Sequence, residues 1–240
     1  MSPASKRPKA LLSWSSGKDS AFALHVLRRN ARFDVVGLLT TLNAAHDRVA
    51  MHAVRRELLE AQARAAGLPV WSVPLPWPCS NAEYERRMRD AIERARAEGV
   101  THVAFGDLFL EEIRSYRIRM LRDTGIEPLF PIWTGRGGTA RLARRMLDAG
   151  IRAIVTSVDP SKLDASFAGR RFDHDLLAEL PASCDPLGEN GEFHTFCFAG
   201  PMFAEPIPVT PGEAVERDGF VFAEVRPGAA RTRPAPAPDG

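Results

Sequence analysis

A short polar segment between an apolar run and a helical pattern carries the groups that could bind phosphate. The segment "SSGKDS", residues 15–20, directly follows "KALLSW". Its hydroxyls, its glycine and the charge of its lysine suit a phosphate, and the free N–H groups of the following helix would add about half a positive charge. The alternative is a capped helix start with a solvated lysine. We therefore predict a phosphate site made of Ser15, Ser16, Gly17, Lys18, Asp19 and Ser20.

The segment differs from the two commonest phosphate-binding motifs. A Walker A loop requires an earlier glycine and a hydroxyl residue after its lysine, whereas here Asp19 follows Lys18. The dinucleotide pattern G-x-G-x-x-G is absent as well. An acid at this position would repel phosphate unless it also caps the helix or reaches a metal ion that the nucleotide carries.

Two further side chains stand where a site would need them. Asp107, preceded by Gly106, follows the strand-like run "HVAF" and could hold magnesium or a ribose hydroxyl; the alternative is an N-cap for the next helix. Arg117 lies four residues from both Ile113 and Leu121, on or beside the apolar stripe of that helix. We expect Arg117 to contact a substrate or a phosphate; the alternative is an arginine whose stem packs and whose head reaches solvent.

The segment "GENGEFHT" concentrates polar groups between two glycines and a strand. If Phe193 faces the core, strand alternation places Glu192 and His194 together on the other face. With Glu189 and Asn190 they could hold a cationic amine, bind magnesium, or act as the base when ammonia attacks. A polar hairpin turn is the alternative. The histidines and acids lack the spacing of zinc ligands, so no structural metal is predicted.

Alternating strand and helix patterns would position these groups. Short apolar runs begin near residues 9, 33, 69, 100 and 127, and helical spacings lie between them. One helix is predicted from Met51 to Gly67, and another is opened by the capping box Ser80–Glu83. This order predicts an α/β fold with a Rossmann-like parallel sheet and helices on both faces. Ligands bind at the carboxyl edge of such a sheet, where residues 15–20 and Asp107 would lie.

Composition changes divide the chain. We predict a nucleotide-binding domain over residues 8–135, a linker at "TGRGGT", and a smaller α+β domain over residues 139–226 with a short helix capped by Asp173. The tail, residues 227–240, is rich in proline and alanine, and we expect it to be disordered.

Charge and cysteine content narrow the class of protein. A net charge of +2 does not favour nucleic acid as a partner, although a local basic patch is compatible with it. The three cysteines, Cys79, Cys184 and Cys197, have no C-x-x-C spacing, which indicates a reducing compartment. No signal-peptide pattern and no run of 18 apolar residues occurs, so we expect a cytoplasmic protein that does not enter a membrane.

These motifs resemble a known superfamily. The stretch "SWSSGKDSA" resembles the S-G-G-K-D-S loop of PP-loop ATP pyrophosphatases, the adenine nucleotide α-hydrolase-like proteins, with Ser16 in place of the usual second glycine. Within that superfamily, three more stretches resemble the diphthine–ammonia ligase family in the same order. They are "MHAVRRELLEAQARAAGLP", "GDLFLEEIRSYRIRMLRDTGIEPLFPIW" and "GENGEFHTFCFAGPMF", and the resemblance covers most of residues 8–225.

The resemblance implies an activity and a set of site residues. The expected enzyme uses ATP and Mg²⁺, releases AMP and pyrophosphate, and joins ammonia to a carboxylate on a small molecule or a protein. The chain could act as a homodimer. The alternatives are a tRNA-modifying PP-loop enzyme and a non-catalytic nucleotide-binding or sensor protein. With the residue patterns, the resemblance implies catalysis by Lys18, Asp19 and Glu192; nucleotide binding by Ser15, Ser16, Gly17, Lys18, Asp19, Ser20, His52, Gly106 and Asp107; magnesium binding by Asp107; and substrate binding by Arg117, Glu189, Asn190, Glu192 and His194.

Overall fold

Two sheets, one from each half of the chain, organise the protein in a computed structural model that describes residues 7–45, 48–49 and 54–229. The described strands are β1 (Lys9–Ser13), β2 (Asp34–Asn43), β3 (Arg48–Val49), β4 (Val70–Leu75), β5 (Val100–Ala104), β6 (Glu127–Leu129), β7 (Arg152–Val158), β8 (Arg171–Phe172), β9 (Phe193–Ala199), β10 (Val209–Arg217) and β11 (Phe220–Pro227). The described α-helices are α1 (Lys18–Asn30), α2 (Arg56–Ala66), α3 (Asn81–Ala97), α4 (Glu111–Leu121), α5 (Thr139–Asp148) and α6 (His174–Glu179). Short 3₁₀ turns cover Arg136–Gly138 and Ala165–Phe167.

The first sheet is parallel, as predicted. Its path runs β3-β2-β1-β5-β6, with β4 also paired to β2, and among the described strands of this sheet only the short β3 is antiparallel to its neighbour. Leu11 and Leu12 of β1 are both fully buried. Leu12 packs in a cluster with residues of α1 and α2, whereas Leu11 packs with Met88 and Ile92 of α3. Because successive strand residues point to opposite faces, helices cover both faces of this sheet.

The second sheet is antiparallel and shares its core with the first half. Its path runs β10-β11-β7-β8, with β9 also paired to β7. Phe196 of β9 and Phe203 lie in the same buried cluster as Leu24 of α1 and Leu58 of α2. The two halves therefore pack on one continuous apolar core, and this packing brings β9 against the start of α1.

The helix starts predicted from the sequence agree with the structure at α3 and α6 and differ from it at α2. Ser80 caps α3 by accepting from the N–H of Glu83 at 3.2 Å, and Asp173 caps α6. The helix predicted from Met51 begins instead at Arg56, because Arg55 is extended and forms a bridge with Arg48. His52 and Met51 lie outside the described residues, so the predicted role of His52 is still a prediction.

The predicted domain limits stay predictions, and the tail lies mainly beyond the described residues. Strand β11 extends to Pro227, which pairs with Val209, one residue past the predicted limit of 226. The expectation of disorder concerns a segment of which residues 230–240 are not described. Within the described part of the chain, no helix has the length and apolarity needed to cross a membrane.

Candidate functional site

Three segments meet at the carboxyl edge of the first sheet. The phosphate loop, residues 15–20, runs from the end of β1 into the first turn of α1, and Gly106–Asp107 follow β5. A third segment, which we call the bridging loop (residues 185–192), comes from the second half and precedes β9. Direct hydrogen bonds join the bridging loop to both of the others. The site is thus built from both halves of the chain.

The phosphate loop is turned by its own hydroxyl groups and by an unusual backbone conformation. Ser16 is fully buried and has φ +68°, the left-handed region that favours glycine. The hydroxyl of Ser20 donates to Gly17 O at 3.0 Å, and Ser15 Oγ lies 3.3 Å from both Ser20 Oγ and Gly17 N. Because glycine adopts positive φ readily, this conformation explains why the S-G-G-K-D-S motif has glycine at the position of Ser16.

Lys18 is buried, so the alternative of a solvated lysine is wrong. Its Nζ donates to Leu187 O of the bridging loop at 2.6 Å and to Asp19 Oδ2 at 3.0 Å. The ammonium also lies over the rings of Phe172 and Phe193, at 5.5 and 5.1 Å. Its side chain therefore ties the phosphate loop to the second half of the chain.

Gly106 permits close contact between β5 and the first turn of α1. A Cβ atom at this position would lie 3.0 Å from Ser20 N and 3.1 Å from the carbonyl carbon of Asp19. No larger residue fits there without moving one backbone relative to the other. Gly106 is thus a spacer that lets Asp107 approach the phosphate loop.

Asp107 and Arg117 form a partly buried ion pair beside that contact. Arg117 Nε donates to Asp107 Oδ2 at 3.3 Å, and its guanidinium stacks on the ring of Phe105. Arg117 therefore lies on the inner side of α4, as its spacing predicted. The N-cap of α4 is Leu110, so Asp107 does not cap this helix. Burial raises the pKa of Asp107, although Arg117 opposes the shift.

The bridging loop is closed by two buried carboxylates. Glu192 is 2% exposed; its Oε1 accepts from Asp185 N and Asn190 Nδ2, and its Oε2 accepts from Asn190 N, at 2.8–3.0 Å. Asp185 Oδ1 accepts from Leu187 N at 3.0 Å. Strand β9 begins at Phe193, so Glu192 belongs to the loop and folds back onto it. In this geometry Glu192 and Asp185 hold the carbonyl of Leu187 toward Lys18.

Glu189 projects from the bridging loop to the first half. Its Oε1 accepts from Leu108 N at 3.1 Å. Burial, with the nearby charges of Asp19 and Asp107, raises the pKa of Glu189 to about 7. Burial also raises the pKa of Asp19, opposed by Lys18. Several carboxyl groups therefore lie close to one lysine. This arrangement favours protonation of a carboxyl group or the binding of a cation.

His194 adds no positive charge to the site near neutral pH. Burial, followed by the charges of Lys18 and Lys162, lowers the pKa of His194 to about 4, so its imidazole is neutral at neutral pH. The described residues contain no group of three His, Cys, Asp or Glu side chains arranged to hold a metal ion. A magnesium ion here would need ligands from a nucleotide in addition to protein carboxylates.

Sequence reasoning missed Gln62 and Thr195, which fix the phosphate loop from behind. Gln62 of α2 is fully buried and donates to Ser16 O at 3.0 Å. Thr195 Oγ1 of β9 accepts from Lys18 N at 3.1 Å. A polar residue between Leu59 and Ala63 on the buried side of α2 was the available signal. Thr195 ends the segment "GENGEFHT", but nothing in that pattern pointed to a bond with Lys18.

The thiols of the second half are not in the reactive thiolate form near neutral pH. Cys184 and Cys197 are buried and unpaired, and burial raises the pKa of each thiol to about 12. A thiol in that state carries almost no thiolate, which is the reactive form. Neither thiol is therefore suited to act as a nucleophile near neutral pH.

Two protein-family models match the chain, one in each half. Residues 8–128 match the diphthamide synthase N-terminal domain, and residues 138–225 match the diphthamide synthase C-terminal domain. The two matches coincide with the parts of the chain that form the parallel and antiparallel sheets. No curated protein matches the chain.

Proposed function

The chain belongs to the diphthamide synthase family, and on that premise we propose that it is an ATP-dependent amide ligase that releases AMP and pyrophosphate. The family consists of ligases of the PP-loop superfamily, which use ATP. In the proposed reaction, a carboxylate oxygen attacks the α-phosphorus and the bond to the β-phosphoryl oxygen breaks, so pyrophosphate leaves with that electron pair. Ammonia then attacks the carbonyl carbon of the acyl adenylate, AMP leaves, and a proton is released.

The observation that carries the proposal is the phosphate loop at the carboxyl edge of a parallel sheet. Lys18 is the first residue of α1, so its ammonium adds a full charge to the partial positive charge at the start of that helix. Lys18 has three N–H donors, and two are used by Leu187 O and Asp19. We propose that the third meets a phosphate oxygen when the nucleotide binds, because preorganised positive charge of this kind is usually the largest contribution to catalysis.

The carboxylates beside the loop fit a magnesium ion that arrives with the nucleotide. Asp19 Oδ1 is buried and has no hydrogen-bond partner among the described residues. The raised pKa of Asp107 reflects a desolvated carboxyl that a cation would stabilise. We propose that Asp19 and Asp107 hold this ion. When bound, Mg²⁺ would neutralise charge on the phosphates.

Glu189 has the properties of a general base for the amidation step. A group that accepts a proton at neutral pH should have a pKa near 7, as Glu189 has. Both carboxylate oxygens of Glu192 already accept N–H groups, so in this geometry Glu192 supports the bridging loop. Its predicted catalytic role stays a prediction that substitution can test.

The acceptor is proposed only as a carboxylate, on a small molecule or on a protein. The high thiol pKa values of Cys184 and Cys197 do not support the sulfur-inserting type of tRNA-modifying enzyme. Arg117, Asn190 and His194 are proposed to contact the acceptor or the nucleotide. Arg117 is bonded directly to Asp107, a proposed magnesium ligand.

The test is a product analysis. The protein is incubated with ATP, Mg²⁺, ammonium and a panel of carboxylates, and the nucleotides are separated. Formation of AMP, pyrophosphate and amide in equal amounts supports the proposal, whereas ADP would contradict attack at the α-phosphorus. Binding of ATP without turnover for every acceptor would instead favour a sensor. Lys18→Ala and Asp19→Ala should abolish turnover, and Glu60→Gln, at an exposed position of α2, is the matched control.

A further inference from the structure

We propose that Gln62 is a positioning residue that holds the phosphate loop in its binding conformation, an inference that rests on the nucleotide-binding role proposed above. Gln62 lies on α2, outside every segment that would contact the nucleotide directly. Its side chain connects three other parts of the fold: the end of β1, the phosphate loop and β9. Residue 62 would therefore affect ATP binding through Ser16 and not by contact.

The amide of Gln62 is fully engaged in the core. Its Oε1 accepts from Trp14 Nε1 at 2.9 Å. Its Nε2 donates to Ser16 O at 3.0 Å and to Cys197 O at 2.7 Å. Trp14 Nε1 can only donate and the two carbonyl oxygens can only accept, so a single orientation of the amide satisfies all three bonds. Both donors of the amide are thus committed to backbone oxygens.

Ser16 is the residue that needs this support. Its φ of +68° is costly for any residue with a Cβ atom, and its buried Oγ has no hydrogen-bond partner among the described residues. A strained conformation persists only where its surroundings over-determine it. Here two donors converge on Ser16 O: Gln62 Nε2 at 3.0 Å and Cys197 N at 2.9 Å.

The position of Ser16 O determines where the next N–H group points. In a trans peptide the carbonyl oxygen and the following N–H lie on opposite sides. With Ser16 O held toward Gln62 and β9, Gly17 N is directed away from them, toward Ser15 Oγ at 3.3 Å. Release of Ser16 O would let this peptide rotate, and the start of α1 would lose the arrangement that binds phosphate.

The test combines substitutions at the two ends of this contact. Gln62→Met keeps the length of the side chain but removes every hydrogen bond. We expect it to weaken binding of a non-hydrolysable ATP analogue, measured by calorimetry, by about tenfold or more. Ser16→Gly removes the need for the support, because glycine adopts positive φ readily. In the Ser16→Gly background, Gln62→Met should therefore change the affinity by less than about twofold.

Trp14→Phe is the matched control for a loss of core stability. It removes the donor to Gln62 Oε1 and leaves both bonds made by Nε2. We expect a lower melting temperature with an affinity for the analogue within about twofold of the unaltered chain. Should Gln62→Met fail to fold, Gln62→Glu replaces it. Its affinity should fall as pH rises, because the introduced carboxyl loses its only donor when it ionises, and Ser16→Gly should remove that pH dependence.

The outcomes separate the two proposals. If the unaltered chain binds the analogue and Gln62→Met binds it equally well, the positioning role is refuted while nucleotide binding stands. An affinity loss that Ser16→Gly does not rescue, or that Trp14→Phe reproduces, would also overturn the role. Failure of the unaltered chain to bind the analogue would overturn the proposed function, and this inference with it.

Discussion

Substitution of Gly106 by alanine tests whether the close contact between β5 and α1 shapes the site. The new Cβ would lie 3.0 Å from Ser20 N and 3.1 and 3.3 Å from the carbonyl carbon and oxygen of Asp19. All three are backbone atoms, so no side-chain rotation can relieve the contact. The first turn of α1 must instead move by several tenths of an ångström relative to Asp107.

The expected cost follows from two opposing effects. Overpacking of this kind costs about 1–3 kcal/mol. Alanine also reduces the freedom of the unfolded chain, which stabilises the fold by about 0.4–1 kcal/mol. We expect a net loss of about 1–2 kcal/mol, and a chain of this size loses roughly 2–4 °C in melting temperature per kcal/mol. Because small misplacements weaken catalysis strongly, we expect pyrophosphate release to fall by about tenfold or more.

The assay pairs thermal unfolding with pyrophosphate release, and Gly137→Ala is the control. A Cβ at Gly137 has no atom within 4 Å, so we expect a change in unfolding free energy within about 0.5 kcal/mol. Equal melting temperatures and rates for Gly106→Ala and Gly137→Ala would refute the claim that Gly106 sets the distance between Asp107 and the phosphate loop.

The other predictions concern single groups. Lys18→Met removes the ammonium that donates to Leu187 O and Asp19 and that is proposed to meet a phosphate oxygen. ATP affinity measured by calorimetry should therefore fall by about tenfold or more; unchanged affinity would exclude a phosphate role. Ionisation of Glu189 is disfavoured in the fold, so its contribution to stability is greatest below pH 4.5 and declines as pH rises to about 7. Glu189→Gln should remove that decline from the pH dependence of unfolding, and identical curves would contradict the shifted pKa. Ser80→Ala should cost about 1 kcal/mol in thermal unfolding through loss of the cap, with turnover unchanged. If the predicted catalytic role of Glu192 holds, Glu192→Gln should preserve nucleotide affinity and abolish amide formation in the product assay; loss of nucleotide affinity, or retention of amide formation, would leave Glu192 only as a support of the bridging loop.

The alternation of strands and helices could be predicted because it follows from the local periodicity of apolar residues. A strand shows a period of two and a helix a period of 3.6, and each is set by neighbouring residues. The caps Ser80 and Asp173 are equally local, because each accepts from an N–H three residues on. The start of α2 was not predictable in this way. Arg55 is extended there and bonds Glu224 of the distant strand β11.

The position of the site could be predicted from the sequence, but the hydrogen-bond partners of its residues could not. That residues 15–20 and Asp107 share one edge follows from the parallel order of β1 and β5. The burial of Lys18 depends on a backbone carbonyl 169 residues away, and backbone oxygens have no signature in a sequence. For the same reason, the place of Gln62 on the buried side of α2 was visible in the sequence, whereas its carbonyl partners were not.

The sequence by itself determined the class of fold, the loop that follows β1 and the family of ligases to which the chain belongs. Tertiary structure alone decided how that loop is held: Ser16 is left-handed, its carbonyl is bonded by Gln62 and β9, and the ammonium of Lys18 is bonded by the bridging loop. The physical reason is that strand and helix patterns arise from contacts within a few residues. Hydrogen bonds to backbone groups of another element exist only after the two halves have packed on their shared core.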